Sequence, residues 1–371
     1  MSRHERLDTR PPDSHDAWPI DAPIYATAST AGTGGRLRER PEDFIVEELP
    51  LYEPCGEGEH LYLFIEKRQM DTPELVDLLA EHFGVRRSAV GVAGRKDRHA
   101  VSRQHASVHL PGRHEDDFGS IADDRVAVLW TDRHTNKLRT GHLIGNRFNI
   151  RIRGVDMSGA VRAGQTLREL ATSGVPNLFG PQRFGAQRDN HRAGRDLLLG
   201  RLRRRMPREK RRFMLNALQS AMFNSVLLRR VESGTWRTLS EGDLAFVHDS
   251  GAVFAVESSD AKLEDRIVSF EISPSGPMWG HAMMRASGGA GELERSALEE
   301  AGLSEEDLAE SKHAELVPGV RRPLRVRLTD PDVEGGIDEH GGYVRVAFDL
   351  PGGAYATAVL REIMKNELPG A

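Results

Sequence analysis

The hydrophobic pattern of the chain changes its period twice, and this change constrains the fold more than any other feature. Apolar and polar residues alternate in short segments up to about residue 154 and again after Arg322, as is typical of strands with one buried face. The pattern between these regions is mainly helical, in segments 161–171, 190–204, 207–232 and 292–301. Because 371 residues exceed one ordinary core, we predict a mixed α/β domain interrupted by an inserted α-rich domain.

The first β-rich region contains four predicted strands and one helix. The strands cover 44–49, 60–67, 88–93 and 104–110. The helix between the second and third strands has Thr72 as its predicted N-cap and Pro73 at its first position. Asp97 then falls in the loop between the third and fourth strands.

A further strand at 141–154 has two chemically different faces. Its apolar face carries Phe148, Ile150 and Ile152 together with Asn146, and its other face carries Arg147, Asn149, Arg151 and Arg153. After Arg322, two more alternating segments, 324–328 and 343–348, precede a closing helix at 356–365. These last residues are expected to complete the first domain.

Several classes of protein are disfavoured by the sequence. There is no run of about 18 apolar residues that could span a membrane, and residues 1–30 form a polar leader without the apolar segment of a signal peptide. The single cysteine, Cys55, excludes an internal disulfide and a multi-cysteine zinc site. His105 and His109 lack a third ligand at suitable spacing. We therefore expect a cytoplasmic protein without a metal site. We also predict that it is a monomer.

Asp97 is a lone carboxylate surrounded in sequence by cations. Its neighbours are Arg95, Lys96, Arg98 and Arg103. Nearby cations favour the ionised carboxylate, which can act as a nucleophile at carbon. Taken alone, however, this charge pattern favours a solvated loop in which Asp97 only balances its neighbours.

A second cationic cluster follows residue 180. It comprises Arg183, Arg188, Arg192, Arg195, Arg201, Arg203, Arg204, Arg205, Arg208, Lys210, Arg211 and Arg212, opposed within the cluster by Asp189, Asp196 and Glu209. A formal net charge of -5 argues against nucleic-acid binding over the whole surface. The local density of Arg nevertheless favours a surface that contacts the phosphates of RNA or DNA.

Aromatic residues that could stack on a base are present but cannot be distinguished by periodicity. They are Phe44, Phe148, Phe179, Phe184 and Tyr355. Most aromatics at strand spacing are core residues. In the long predicted helix, Asn216, Ser220 and Asn224 form a polar stripe, which we interpret as a hydrogen-bonded packing network.

The sequence resembles the TruD family of tRNA pseudouridine synthases through eight motifs in the family's order. They lie at 40–48, 56–60, 93–101, 141–148, 175–185, 216–224, 277–280 and 353–357. The resemblance implies that a uridine of tRNA, uridine 13 of the D arm, is converted to pseudouridine without a cofactor or metal. It also implies an α+β pseudouridine-synthase domain with a mixed, largely antiparallel sheet at 31–179 and 319–371, and an inserted domain at 180–318.

The same resemblance assigns roles to individual residues. Asp97 matches the family's nucleophile, and Phe44, Asn146 and Tyr355 match its substrate contacts. The chemistry of the reaction adds Lys96 and Phe148 as predicted contacts. In this interpretation Lys96 or a nearby Arg keeps Asp97 ionised, while Phe148 or Tyr355 stacks on the base. The family commonly has Phe at the position of Tyr355, and Leu178 replaces a common tyrosine. Attack at C1′ and glycal formation both remain open as routes.

Two other functions are consistent with parts of the sequence. A noncatalytic RNA-binding or RNA-chaperone module would need the basic cluster but not Asp97. A glycosidic hydrolase would need a second positioned carboxylate. Glu47 and Glu48 are available for that role, but nothing in the sequence places either one beside Asp97.

Overall fold

The computed structural model describes residues 22–96, 98, 100–202, 205–258 and 260–366. Three residues named above as candidates, Asp97, Arg203 and Arg204, lie outside these ranges. The chain forms two compact units. We call residues 27–175 with 326–366 the sheet unit, and residues 176–325, with which residues 22–26 are grouped, the inserted unit. The predicted domain limits of 180 and 318 stay a prediction.

The described residues form 14 strands and eight helices, numbered here in chain order. The strands are β1 Phe44–Pro50, β2 His60–Arg68, β3 Val90–Val92, β4 Val101–His109, β5 Val126–His134, β6 Leu143–Arg153, β7 Val175–Pro176, β8 Leu244–Val247, β9 Val253–Ala255, β10 Ile272–Met278, β11 Val320–Pro323, β12 Arg325–Val326, β13 Thr329–Asp338 and β14 Gly341–Pro351. The helices are α1 Thr72–His82, α2 Gly159–Ser173, α3 Asn190–Leu198, α4 Arg208–Glu232, α5 Ala261–Val268, α6 Gly288–Glu300, α7 Glu305–Glu310 and α8 Ala356–Met364.

The sheet unit is built on an eight-stranded sheet. Seven of its strands follow the order β13-β14-β6-β1-β4-β2-β5, and β3 pairs with β4. Among the described strands of this sheet, β1 and β4 pair in parallel and the other neighbours are antiparallel. The predicted α+β fold with a mixed, largely antiparallel sheet is therefore confirmed. The strand β1 lies at the centre, between β6 and β4.

The alternation in β6 produces the two faces that the sequence predicts, but the second face is not a free cationic surface. Phe148, Ile150 and Ile152 are buried in a core shared with α2, β14 and α8. On the opposite face, Arg147 donates two hydrogen bonds to Asp349, at 2.9 and 2.8 Å. Arg151 and Arg153 likewise pair with carboxylates of neighbouring elements. The carboxylates neutralise these arginines, and the ion pairs stabilise the sheet.

The start of α1 differs by one residue from the prediction. Asp71, and not Thr72, is the N-cap, because its carboxylate accepts a hydrogen bond from the Glu74 N–H at 2.9 Å. Thr72 is the first helical residue and is buried. Its hydroxyl is therefore available for contacts within the sheet unit.

The inserted unit combines helices with a four-stranded sheet in the order β11-β10-β8-β9. The helix α4 spans 25 residues and is buried over most of its length beyond Leu215. It packs with α3 around a core that includes Trp279 and Leu298. No described helix, including α4, is long and apolar enough to cross a membrane.

Candidate active site

A cavity of about 540 Å³ opens within the sheet unit, where three loops and strand ends meet. It is lined by Ala93, Gly94, Arg95, Lys96, Thr140, Gly141, Leu143, Ile144, Asn146, Pro351, Gly352 and Gly353. Its volume lies in the range of about 300–1,000 Å³ that is usual for small-molecule sites. Lys96, on this lining, directly precedes Asp97 in the sequence.

Lys96 forms a buried ion pair with Glu48. Its ammonium Nζ lies 2.8 Å from Glu48 Oε2, and the two side chains are 5 % and 0 % exposed. The other carboxylate oxygen, Oε1, accepts a hydrogen bond from the His105 backbone N–H at 3.2 Å and lies 3.4 Å from His105 Nδ1. Burial alone would raise the pKa of Glu48, but the contacts with His105 and Lys96 outweigh it and hold that pKa below its ordinary value.

The backbone of Lys96 is held by α1. Its N–H donates a hydrogen bond to Thr72 Oγ1 at 2.8 Å, and the Thr72 hydroxyl donates to Gln104 Oε1 at 3.2 Å. Thr72 and Gln104 are both buried. Lys96 is thus fixed through its side chain by β1 and through its backbone by α1.

Asn146 supplies an unsatisfied polar group to the cavity. Its Oδ1 atom is buried and, within the part of the chain that the structure describes, has no hydrogen-bond partner. Because Asn146 lies on the cavity lining, this oxygen can accept a hydrogen bond from a ligand or from water in the cavity. Asn146 lies directly opposite Glu48 in the antiparallel pairing of β6 with β1.

Close backbone contacts shape the cavity rim. A Cβ atom added to Gly145 would lie 2.1 Å from the Leu350 carbonyl oxygen, so a larger residue cannot be accommodated between β6 and β14 without a shift. Gly353 has φ +82°, a left-handed conformation that favours glycine. The segment 351–353 can therefore approach β6 closely.

The cavity brings together two of the predicted substrate residues, Lys96 and Asn146. Phe44 and Phe148 are 5 % and 7 % exposed and belong to the core. Their rings contact other residues, since Arg38 lies 4.7 Å from the Phe44 ring and Phe348 lies 5.5 Å from the Phe148 ring. Half-buried Tyr355 precedes α8 and is not among the lining residues. A role for these three rings in substrate binding stays a prediction.

The sequence does not identify Glu48 or Thr72 as partners of Lys96. It indicates a helix cap at Thr72 and no more than an available carboxylate at Glu48. Both contacts connect positions far apart in the chain, separated by 48 residues for Glu48 and 24 for Thr72. The only signals are local: Asp71, which precedes Thr72, is the better helix cap, and Glu48 is the last buried position in the alternating pattern of β1.

The basic cluster of the inserted unit divides into structural and exposed members. Arg183 donates to Ser220 Oγ at 3.0 Å and lies over the Phe179 ring, and Arg195 is buried. The Asn224 side chain bonds the backbone N–H and C=O of Phe179, each at 2.9 Å, which agrees with a packing role for the polar stripe. The exposed members in the described ranges are Arg192, Arg201, Arg205, Arg208, Lys210 and Arg212.

The chain matches the family described as tRNA pseudouridine synthase D (TruD) over residues 20–206 and 202–363. It is 39 % identical to the tRNA pseudouridine synthase D of Geobacter metallireducens, over 93 % of this chain and 98 % of that protein. Identity to the proteins of the same name is 42 % for Anaeromyxobacter dehalogenans, covering 92 % and 96 % of the two chains, and 41 % for Thermus thermophilus, covering 92 % of each.

The fold is also found in a solved structure. A crystal structure from Methanosarcina mazei, described as tRNA pseudouridine synthase D (TruD), matches with a TM-score of 0.79 and 27 % identity, over 93 % of this chain and 96 % of that one. The chain therefore has the α+β architecture of this solved structure. With the sequence matches, it follows that the chain belongs to the TruD family.

Proposed function

We propose that this protein is an enzyme that isomerises a uridine of tRNA to pseudouridine, with uridine 13 as its target and Asp97 as its nucleophile. The proposal rests mainly on the cavity of this TruD-family chain. The cavity is lined both by Lys96, the residue before Asp97, and by Asn146, whose amide oxygen has no hydrogen-bond partner among the described residues. Its monomeric state and cytoplasmic location stay predictions.

The reaction is an isomerisation, so every atom of the uridine is kept in the product and few catalytic groups are needed. The C1′–N1 bond breaks, the uracil turns, a C1′–C5 bond forms, and the proton lost from C5 is matched by one gained at N1. An ionised Asp97 can assist the first step by attack at C1′ or by removing a sugar proton in a glycal route. In either route the detached base must be retained while it turns.

Asn146 is suited to retaining the base. Uracil presents an N3–H donor flanked by two carbonyl acceptors, and a side-chain amide offers the complementary acceptor and donor. In the described structure the Asn146 Oδ1 atom has no competing donor. The target nucleotide must leave the base stack of the tRNA to reach such a cavity, as in other enzymes that act on a single base.

We assign binding of the tRNA backbone to exposed residues of the basic cluster. Arg201, Arg205, Arg208, Lys210 and Arg212 are exposed in the inserted unit. Within the described ranges, these five side chains have no carboxylate within ion-pairing distance. Unpaired cations at a surface favour phosphate binding through release of counterions.

The decisive test is Asp97→Asn, which removes the charge but keeps the size of the side chain. We expect the variant to bind tRNA like the wild type and to form no pseudouridine at position 13, as measured by pseudouridine mapping of bulk tRNA. Asp77→Asn is the matched control, since Asp77 is an exposed carboxylate of α1 in the same unit. It should retain full activity.

Other results would replace the proposal. Substantial pseudouridine formation by the Asp97→Asn variant would remove Asp97 as the nucleophile. Tight RNA binding without product from the wild-type protein would indicate a noncatalytic RNA-binding module. Release of free uracil would indicate a hydrolase, and pseudouridine at another position would change the assigned target.

A further inference from the structure

We propose that Glu48 is a positioning residue for the reaction, which holds the Asp97 loop in its active arrangement through Lys96. The inference rests on the proposed function, because it assumes that Asp97 reacts with the nucleotide. Glu48 itself does not line the cavity. Its carboxylate contacts the reacting region only through Lys96, which does.

Lys96 is fixed at both ends by residues from different elements. Glu48 of β1 binds the ammonium at 2.8 Å, and Thr72 of α1 accepts the backbone N–H at 2.8 Å. Because successive Cα atoms are about 3.8 Å apart, fixing Lys96 at two points restricts where the next residue of the chain can be placed. Loops that carry catalytic groups need such support, since a displacement of about 1 Å can reduce a rate by about 100-fold.

Glu48 is in turn oriented by the sheet. Its second oxygen accepts the His105 backbone N–H at 3.2 Å, so both carboxylate oxygens are engaged. The His105 ring is itself stacked against Phe64, with ring centroids 4.6 Å apart and an interplanar angle of 27°. The carboxylate therefore has little freedom to change its position.

The pair also lies close to Gly94, in the segment that precedes Asp97. A Cβ atom built on Gly94 would lie 3.4 Å from Lys96 Nζ and 3.5 Å from Glu48 Oε2, which are ordinary contact distances. A buried ion pair is weak evidence for stability alone, because well-packed apolar residues often replace such pairs without loss. The location of this pair, beside the cavity, points instead to control of local geometry.

Loss of the Glu48 charge would leave the Lys96 ammonium buried without its counterion. A buried cation is costly unless it finds another anion. Without Glu48 the ammonium would turn to another anion or to water, so the Lys96 side chain would no longer hold the loop that carries Asp97 in its active arrangement. The predicted defect is therefore in the chemical step and not in RNA binding.

The test compares Glu48→Gln with Glu294→Gln in the full-length protein. Glu294 is a matched control because it forms a similarly buried ion pair, with Arg321 at 2.7 Å, in the inserted unit. We expect Glu48→Gln to reduce the single-turnover rate of pseudouridine formation by about 100-fold, with an unchanged Kd for tRNA. Glu294→Gln should lower the melting temperature but retain the wild-type rate below it.

A double variant keeps the test decisive if Glu48→Gln does not fold. Glu48→Gln with Lys96→Met removes both charges, so no unpaired ion stays buried, and we expect a folded protein that binds tRNA but reacts slowly. A wild-type rate in a folded Glu48→Gln or double variant would overturn the inference, as would a slow Glu294→Gln variant. If the wild-type protein itself forms no pseudouridine, the proposed function fails instead.

Discussion

Replacing Thr72 by Val tests whether the hydroxyl that holds the Lys96 backbone matters for catalysis. Val has nearly the same shape as Thr, so the change removes two hydrogen bonds without creating a cavity. These bonds are the one accepted from the Lys96 N–H at 2.8 Å and the one donated to Gln104 Oε1 at 3.2 Å. Thr72 is 3 % exposed, so water cannot readily replace the lost partner.

The magnitude follows from the group that is left unpaired. A buried donor without a partner costs about 1–3 kcal/mol, so we expect the free energy of unfolding to fall by about 2 kcal/mol. For a domain of roughly 150–250 residues, each kcal/mol shifts Tm by about 2–4 °C, which gives a decrease of about 4–8 °C. The rate should fall as well, because the backbone before Asp97 loses one of its two anchors.

The assay measures Tm, the Kd for tRNA and the single-turnover rate in parallel, with Asp71→Ala as the control. Asp71 caps α1, so its loss should cost about 1 kcal/mol and leave the rate unchanged. If Thr72 were merely the helix cap, Thr72→Val would resemble Asp71→Ala in both respects. A wild-type rate for folded Thr72→Val would refute the anchoring role.

Three further outcomes follow from the same structure. Replacing Arg205 and Arg208 by Ala should weaken tRNA binding and reduce the slope of log Kd against log salt by about 1.5, and an unchanged slope would place the RNA surface elsewhere. Asn146→Ala should lower kcat/KM in steady-state assays, whereas unchanged kinetics would remove it from base recognition. The stability gap between wild type and Glu48→Gln should narrow as pH falls through the lowered pKa of Glu48, because that residue stabilises the fold only while ionised. A gap in urea-unfolding free energy that is constant with pH would contradict this.

The fold could be predicted from the sequence where burial follows one simple period. Alternation located β6 and β14 correctly, with Ile150 and Val346 paired in the core. It did not reveal β10, whose seven residues are all buried and include Pro274 and Pro277. Proline lacks a donor and normally argues against an inner strand. In β10, residues 272–274 pair with β8 and residues 275–278 pair with β11, so Pro274 and Pro277 are each paired with a single neighbouring strand.

The site could be predicted only in part, because periodicity identifies faces and not partners. The pattern placed Asn146 on an inward face, and the structure puts it on the cavity. The pattern gave no indication that Lys96 pairs with Glu48, since that contact depends on how β1 is placed beside β4 and β6. Resemblance to a family supplied the role of Asp97, which local charge alone did not.

The register of β1 decides which of two consecutive glutamates serves the site. Glu48 lies opposite Asn146 in the β1–β6 pairing and is buried, whereas Glu47 lies opposite Arg147 and forms a partly exposed pair with Arg103 at 3.2 Å. A slip of one residue would move every side chain of β1 to the other face. It would then bury Glu47 and expose Glu48, so Lys96 would lose its present counterion. The register of the central strand therefore determines which glutamate pairs with Lys96 beside the cavity. The sequence alone does not show this register.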